Sequence, residues 1–256
     1  WEMKTMKNTQ WKSFDKLANK CYNNMIGAEK DDTCWAKAFD LLMEIVREER
    51  KVNPAFAPEL DLVDDETDYV HDVTGWLEDC LDEMDMRKQY ELLLQMCEDL
   101  LKMFSWPEYS GSDLKFRKSN VLQELGRNEQ SVRFCCQWLQ EEPENIMAAT
   151  AYVYALLEKK SYEKALEVIQ EFITDEEECT EENEIMFRAM IGYYKAIGDK
   201  KKQKKLEKIL KEYEDYVDQC ISQWCEGEDE DEWDLEDELP FNIIYSKNSP
   251  SSTGGR

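Results

Sequence analysis

Apolar residues return at every third or fourth position along most of the chain. In KKSYEKALEVIQEF, residues 159–172, Tyr162, Ala165, Leu166, Ile169 and Phe172 share one side of a helical wheel, and Glu163, Lys164, Glu167, Gln170 and Glu171 occupy the other. Alternating β-branched positions are almost absent, and only nine Gly and six Pro interrupt the chain. The pattern predicts an all-α protein of ten helices, at 9–26, 33–50, 67–84, 86–104, 113–125, 128–141, 145–159, 161–173, 181–197 and 199–224. Punctuation supports several of these: Gly126 and Gly198 fall just past helices, Pro107 and Pro143 follow others, and Ser161 and Thr180 stand where caps belong.

The pattern also repeats. A shift of 34 residues lays Val121 on Ala155, Leu122 on Leu156, Ser131 on Ala165, Val132 on Leu166, Cys135 on Ile169, Trp138 on Phe172 and Leu139 on Ile173. Small falls on small and apolar on apolar.

A 34-residue period with two helices per period resembles the tetratricopeptide (TPR) repeat. LGRNEQSVRFCCQWLQEEPEN, residues 125–145, is similar to that family's pattern of Gly before the second helix, a small residue five later and Pro closing the unit. The likeness is clearest over 112–174, and it implies that Ser131 and Ala165 are small because the two helices of a unit cross there. Weaker copies are AIGDKKKQKKLEKILKEY at 196–213, MRKQYELLLQMCEDLL at 86–101 and CWAKAFDLLMEIV at 34–46, the last with Ala38 at the small position. Leu93 and Gln203 occupy small positions in the other copies, and VNPAFAPELDLVDDE at 52–66 is a long connector for such an array.

The resemblance implies a right-handed α-solenoid of about five antiparallel helix pairs. Divergent pairs would span 1–105, closer ones 106–225, and a disordered acidic and Ser/Gly-rich tail 226–256. Members of the family bind proteins or peptides along a concave groove lined by the first helix of each pair. On the matching positions this groove would comprise Phe116, Asn120, Gln123, Met147, Thr150, Tyr154, Leu157, Arg188 and Lys195. Phe116, Thr150 and Tyr154 stand where chaperone-binding relatives carry Lys and Asn, so a chaperone C-terminus fits poorly.

Charge narrows the partners. The chain holds 58 acidic and 32 basic residues, a net charge of -26, which repels nucleic-acid phosphates and anionic lipid and favours basic protein surfaces. Nine cysteines, an odd number lying mostly within helical patterns, fit a reduced, cytoplasmic protein. The longest uncharged run, NIMAATAYVYALL at 145–157, is too short to span a bilayer. An acidic inhibitor that covers a basic surface, and the ligand-sensing part of a transcription regulator, are the alternative readings.

Chemistry-bearing patterns are scarce. The single histidine, His71, excludes paired-His metal sites within one chain, and its expected role is that of a solvated or hydrogen-bonded helix residue. No GxxxxGK[ST], GxGxxG or GxSxG string occurs. Cys220 and Cys225 lack a second pair, Cys135 and Cys136 point to different parts of one helix, and Asp64 with Asp65 or Asp82 with Glu83 are the neighbours that an acidic chain produces by chance. No catalytic, cofactor-binding or metal-ligating residue is assigned.

Two biased stretches remain. DKKKQKK at 199–205 is a basic island suited to an acidic partner or to the protein's own tail. CEGEDEDEWDLEDELPF at 225–241 holds ten carboxylates between Glu226 and Glu238, a density that no packed core accommodates. Its end resembles the acidic tip of bacterial single-stranded DNA-binding proteins. That likeness implies long-range attraction from Asp234, Glu236, Asp237 and Glu238, a restrained end at Pro240 and an anchor in Phe241. In that family the Phe carries the terminal carboxylate, whereas 15 residues follow Phe241 here.

Overall fold

The computed structural model describes the backbone of residues 2–226 and the side chains of residues 9–222. The tail motif, Asp234 to Phe241, lies outside the described residues. Within them the protein is all-helical, with eleven α-helices and no strand. The chain divides into two compact units, Trp1–Ser161 and a second beginning at Tyr162.

The first unit contains α1 (Glu2–Met25), α2 (Cys34–Val52), α3 (Leu62–Asp65), α4 (Val73–Met86), α5 (Tyr90–Met103), α6 (Ser112–Glu124), α7 (Asn128–Glu141) and α8 (Ile146–Glu158). Consecutive long helices pack in turn: α1 on α2, α4 on α5, α5 on α6, α6 on α7 and α7 on α8, while α2 also meets α4 and α6 also meets α8. At the N-terminal end the core is built around Trp35 and Trp76, whose rings stack 6.2 Å apart, with Phe14 edge-on to Trp76 at 5.0 Å. Burying such large rings removes much apolar surface from water, and with Trp138 they are the largest fully buried side chains of the unit.

Ala38 and Ser131 are fully buried, as their small size in the apolar stripe predicts. At Ser131 the reason is visible. Its hydroxyl stands 3.1 Å from that of Ser119 on the neighbouring helix, and Ser119 Oγ lies 2.9 Å from Cys135 Sγ, so two backbones approach where larger side chains would not fit. Cys136, one position on, is only half-buried.

Several helix starts differ from the sequence reading: α1 starts at Glu2, α4 at Val73, α5 at Tyr90 and α10 at Glu184. The helix expected at 67–84 begins at Val73, because the buried Asp64 carboxylate accepts from Val73 N at 2.8 Å and Thr74 N at 3.1 Å and fixes the first turn there. Asp68 and Tyr69 take positive φ, 52° and 54°, which no helix continues through. Asp64, one of the carboxylates attributed to chance, is thus a structural cap. His71 consequently lies in the bend before α4, not in a helix. Its Nδ1 stands 2.7 Å from Asp15 Oδ1, and its ring stacks on Trp11 with centroids 4.8 Å apart.

The 52–66 connector is not a bare loop. It includes α3, and the half-buried Arg50 guanidinium donates to the carbonyls of Phe56 and Ala57 within it and to Met103 at the end of α5.

The second unit contains α9 (Tyr162–Phe172), α10 (Glu184–Ile197) and α11 (Lys200–Glu226), with α10 packed against both others. Ala165 is fully buried. Thr180 does not cap α10: the helix starts later, at Glu184, with Asn183 at the cap position, and Asn183 Oδ1 accepts from Thr180 N at 2.9 Å. Gly198 ends α10 at φ 81°, the left-handed conformation that glycine adopts without strain.

Candidate partner-binding face

Seven groove positions lie on two neighbouring helices of the first unit. Phe116, Asn120 and Gln123 are spaced four and three apart on α6, and Met147, Thr150, Tyr154 and Leu157 fall on α8. Phe116 meets Tyr154 edge to face with ring centroids 6.2 Å apart, so the two rows are adjacent in space. Phe116, Met147, Tyr154 and Leu157 are half-buried and Asn120 is exposed. A half-buried aromatic and aliphatic patch beside an exposed amide offers apolar anchoring with a polar edge.

Two positions do not fit a surface contact. Thr150 is fully buried, because its turn of α8 faces packed helices, and it belongs to the interior. The Gln123 amide is directed inward and donates at 3.3 Å to Ser119 Oγ and at 3.4 Å to Ser131 Oγ. Arg188 and Lys195 sit on α10 in the second unit. Lys195 is exposed, but Arg188 bridges Glu184 at 2.6 Å and Glu214 at 2.7 Å. Burial pulls the Arg188 pKa down, and the two carboxylates more than offset it, so the net shift is upward.

A polar hub that the sequence reading missed ties the start of α6, the end of α7 and the start of α8. Glu142, closing α7, accepts from Trp138 Nε1 at 2.8 Å and Asn145 Nδ2 at 2.6 Å and pairs with Lys115 of α6. Asn145 in turn caps α8, accepting from Met147 N at 2.9 Å, and donates to Ser112 Oγ at 2.8 Å. Burial pushes the Glu142 carboxyl up, but its three donors together outweigh that and hold it below the usual carboxylate range. The legible signal was Asn145 itself, a capping residue directly before an apolar run.

Thiol chemistry has poor support from the environment. Burial pushes Cys97 and Cys179 up to about 12 and Cys135 up to about 11, and it raises Cys21 and Cys80 further, so these sulfurs stay protonated at neutral pH. Among the described residues, no group of three or more His, Cys, Asp or Glu is arranged to hold a metal ion, and no helix is long and apolar enough to cross a membrane.

Compared with protein-family models, curated proteins and solved structures, the chain matches none.

Proposed function

We propose that the chain is a TPR-like binder of protein or peptide segments, its helix pairs stacking with the right-handed turn of that family, and that the α6 and α8 face is its contact surface. The supporting observation is the Phe116 and Tyr154 pair, which joins two first-position helices edge to face and leaves both rings half-exposed. Aromatic side chains anchor interfaces well because each covers a large area with few rotatable bonds. The 34-residue register and the close crossing at Ser119 and Ser131 fit the same reading. A protein with net charge -26 would favour segments carrying basic residues around an apolar anchor.

The test is selection of linear peptides from a displayed random library against the whole chain, followed by affinity measurement on Phe116→Ala and Tyr154→Ala. Selected peptides should lose about tenfold or more in affinity with either variant, while helicity by circular dichroism is unchanged. Peptides that bind both variants as tightly as the parent would assign the contact surface elsewhere.

A further inference from the structure

The first three turns of α11 carry the most concentrated positive charge in the protein. Seven lysines and one glutamate fall between Lys200 and Lys211, in a chain whose net charge is -26. Leu206 and Leu210 fix the buried side of the helix, and Lys200, Lys204 and Lys211 project within about 40° of one another at 100° per residue, away from that side. Lys208 and Lys201 extend the strip. Lys202 pairs with Glu176 at 3.3 Å, Lys205 with Glu177, and Lys208 with Glu212 at 3.2 Å. Among the described residues, no ion pair engages Lys200, Lys201, Lys204 or Lys211, and all four are exposed.

The same chain supplies a matching anion. Nine carboxylates stand between Glu228 and Glu238, directly after α11. The chain's net charge of -26 repels such a run, and the lysine strip carries the densest opposite charge. Reach permits the contact. Lys211 is 15 residues before the end of α11 and Lys204 is 22, which at 1.5 Å per residue is about 22 and 33 Å along the helix. From Glu226 an extended chain covers roughly 27 Å by Asp234 and about 40 Å by Glu238. We propose that residues 228–238 turn back along α11 and dock on the lysine strip of their own chain, with Asp234 to Glu238 against Lys204, Lys208 and Lys211. Tethering makes the local concentration of the acidic run on the order of millimolar, so many individually weak pairs suffice. The strip would then be covered in the resting protein and open to an acidic partner only by competition.

Zero-length carbodiimide cross-linking of the full chain, with peptide mapping of the monomer, tests this. Cross-links from 228–238 to Lys204, Lys208 or Lys211 are expected at about 50 mM salt and should be lost near 0.5 M, where screening contracts to a few ångströms. They should also disappear in the triple variant Lys200→Glu, Lys204→Glu, Lys211→Glu. In a second arm, a labelled peptide of residues 228–241 should bind a full-length variant with the nine carboxylates changed to Asn or Gln at least tenfold more tightly than it binds the parent, whose strip is occupied. Equal binding of that peptide by both proteins would overturn the proposal. So would cross-links found only in dimers, which would assign the acidic run to a second copy, or mapping that finds none to α11. Either result leaves the α6 and α8 reading untouched, because that peptide selection is scored on Phe116 and Tyr154.

Discussion

Glu142 accepts a 2.6 Å hydrogen bond from the side chain of Asn145, so the residue that closes α7 orients the residue that caps α8. The turn between the two helices is fixed at both ends by one carboxylate. Because the folded carboxyl is held below its ordinary range, its contribution is fully present above the unfolded carboxylate pKa and is lost as pH falls through the lower folded value. Glu142→Gln should therefore destabilise the chain at pH 7, and the gap to the parent should shrink towards zero as pH is lowered below about 4. Denaturant midpoints across pH 7 to 3 measure it. A gap independent of pH would mean that the amide fails for reasons of geometry and not of charge.

The crossing of α6 and α7 leaves no room at Ser131. Replacing it with Leu should force the helices apart and cost about 1–3 kcal/mol through overpacking. Ser131→Ala removes a hydrogen bond to Ser119 but adds no volume, and should cost about 1 kcal/mol. Ala165→Leu, at the equivalent position 34 residues on, should behave like Ser131→Leu because Ala165 is equally buried. The order of melting midpoints is the check: both Leu variants below Ser131→Ala, and Ser131→Ala below the parent.

Helix content and most helix positions were legible because apolar spacing and glycine stops are local signals. Gly126 and Gly198 could be read directly: both take positive φ, 70° and 81°, just beyond a helix. What was not legible depended on long-range partners. Asp64 looked like one acid among many, and its role arises from the amides of Val73 and Thr74. Thr150 has the type and spacing of a groove residue, yet helix packing buries it completely. The patch formed by Phe116 and Tyr154 was half legible, since periodicity put each on a helix face but only packing of α6 on α8 brought the rings together.

Asp64 makes α4 dependent on a residue nine positions upstream. Asp64→Ala leaves two amides of the first turn without their acceptor and should cost about 1–2 kcal/mol, with Asp64→Asn recovering part of it because its single carbonyl oxygen still accepts. Hydrogen exchange should locate the effect: Val73 and Thr74 lose protection first, while the amides of α7 and α8 keep theirs. Uniform loss of protection throughout the first unit would mean that the carboxylate supports the whole core and not one helix start.

Arg50 explains why a long connector is tolerated within a stack of helices. Its guanidinium donates to Phe56, Ala57 and Met103 and lies over the Phe104 ring at 5.0 Å, so one side chain gathers the connector and the end of α5 onto α2. Lysine has the charge but not the planar fork, and cannot serve three carbonyls while stacking on a ring. Arg50→Lys should lose most of what Arg50→Ala loses, about 2–3 kcal/mol if hydrogen bonds from a charged donor keep their usual strength. Limited proteolysis gives the local readout: cleavage within 53–60 should accelerate in both variants well below their melting temperatures. If Arg50→Lys resists cleavage as the parent does, charge alone holds the connector and the fork geometry is dispensable.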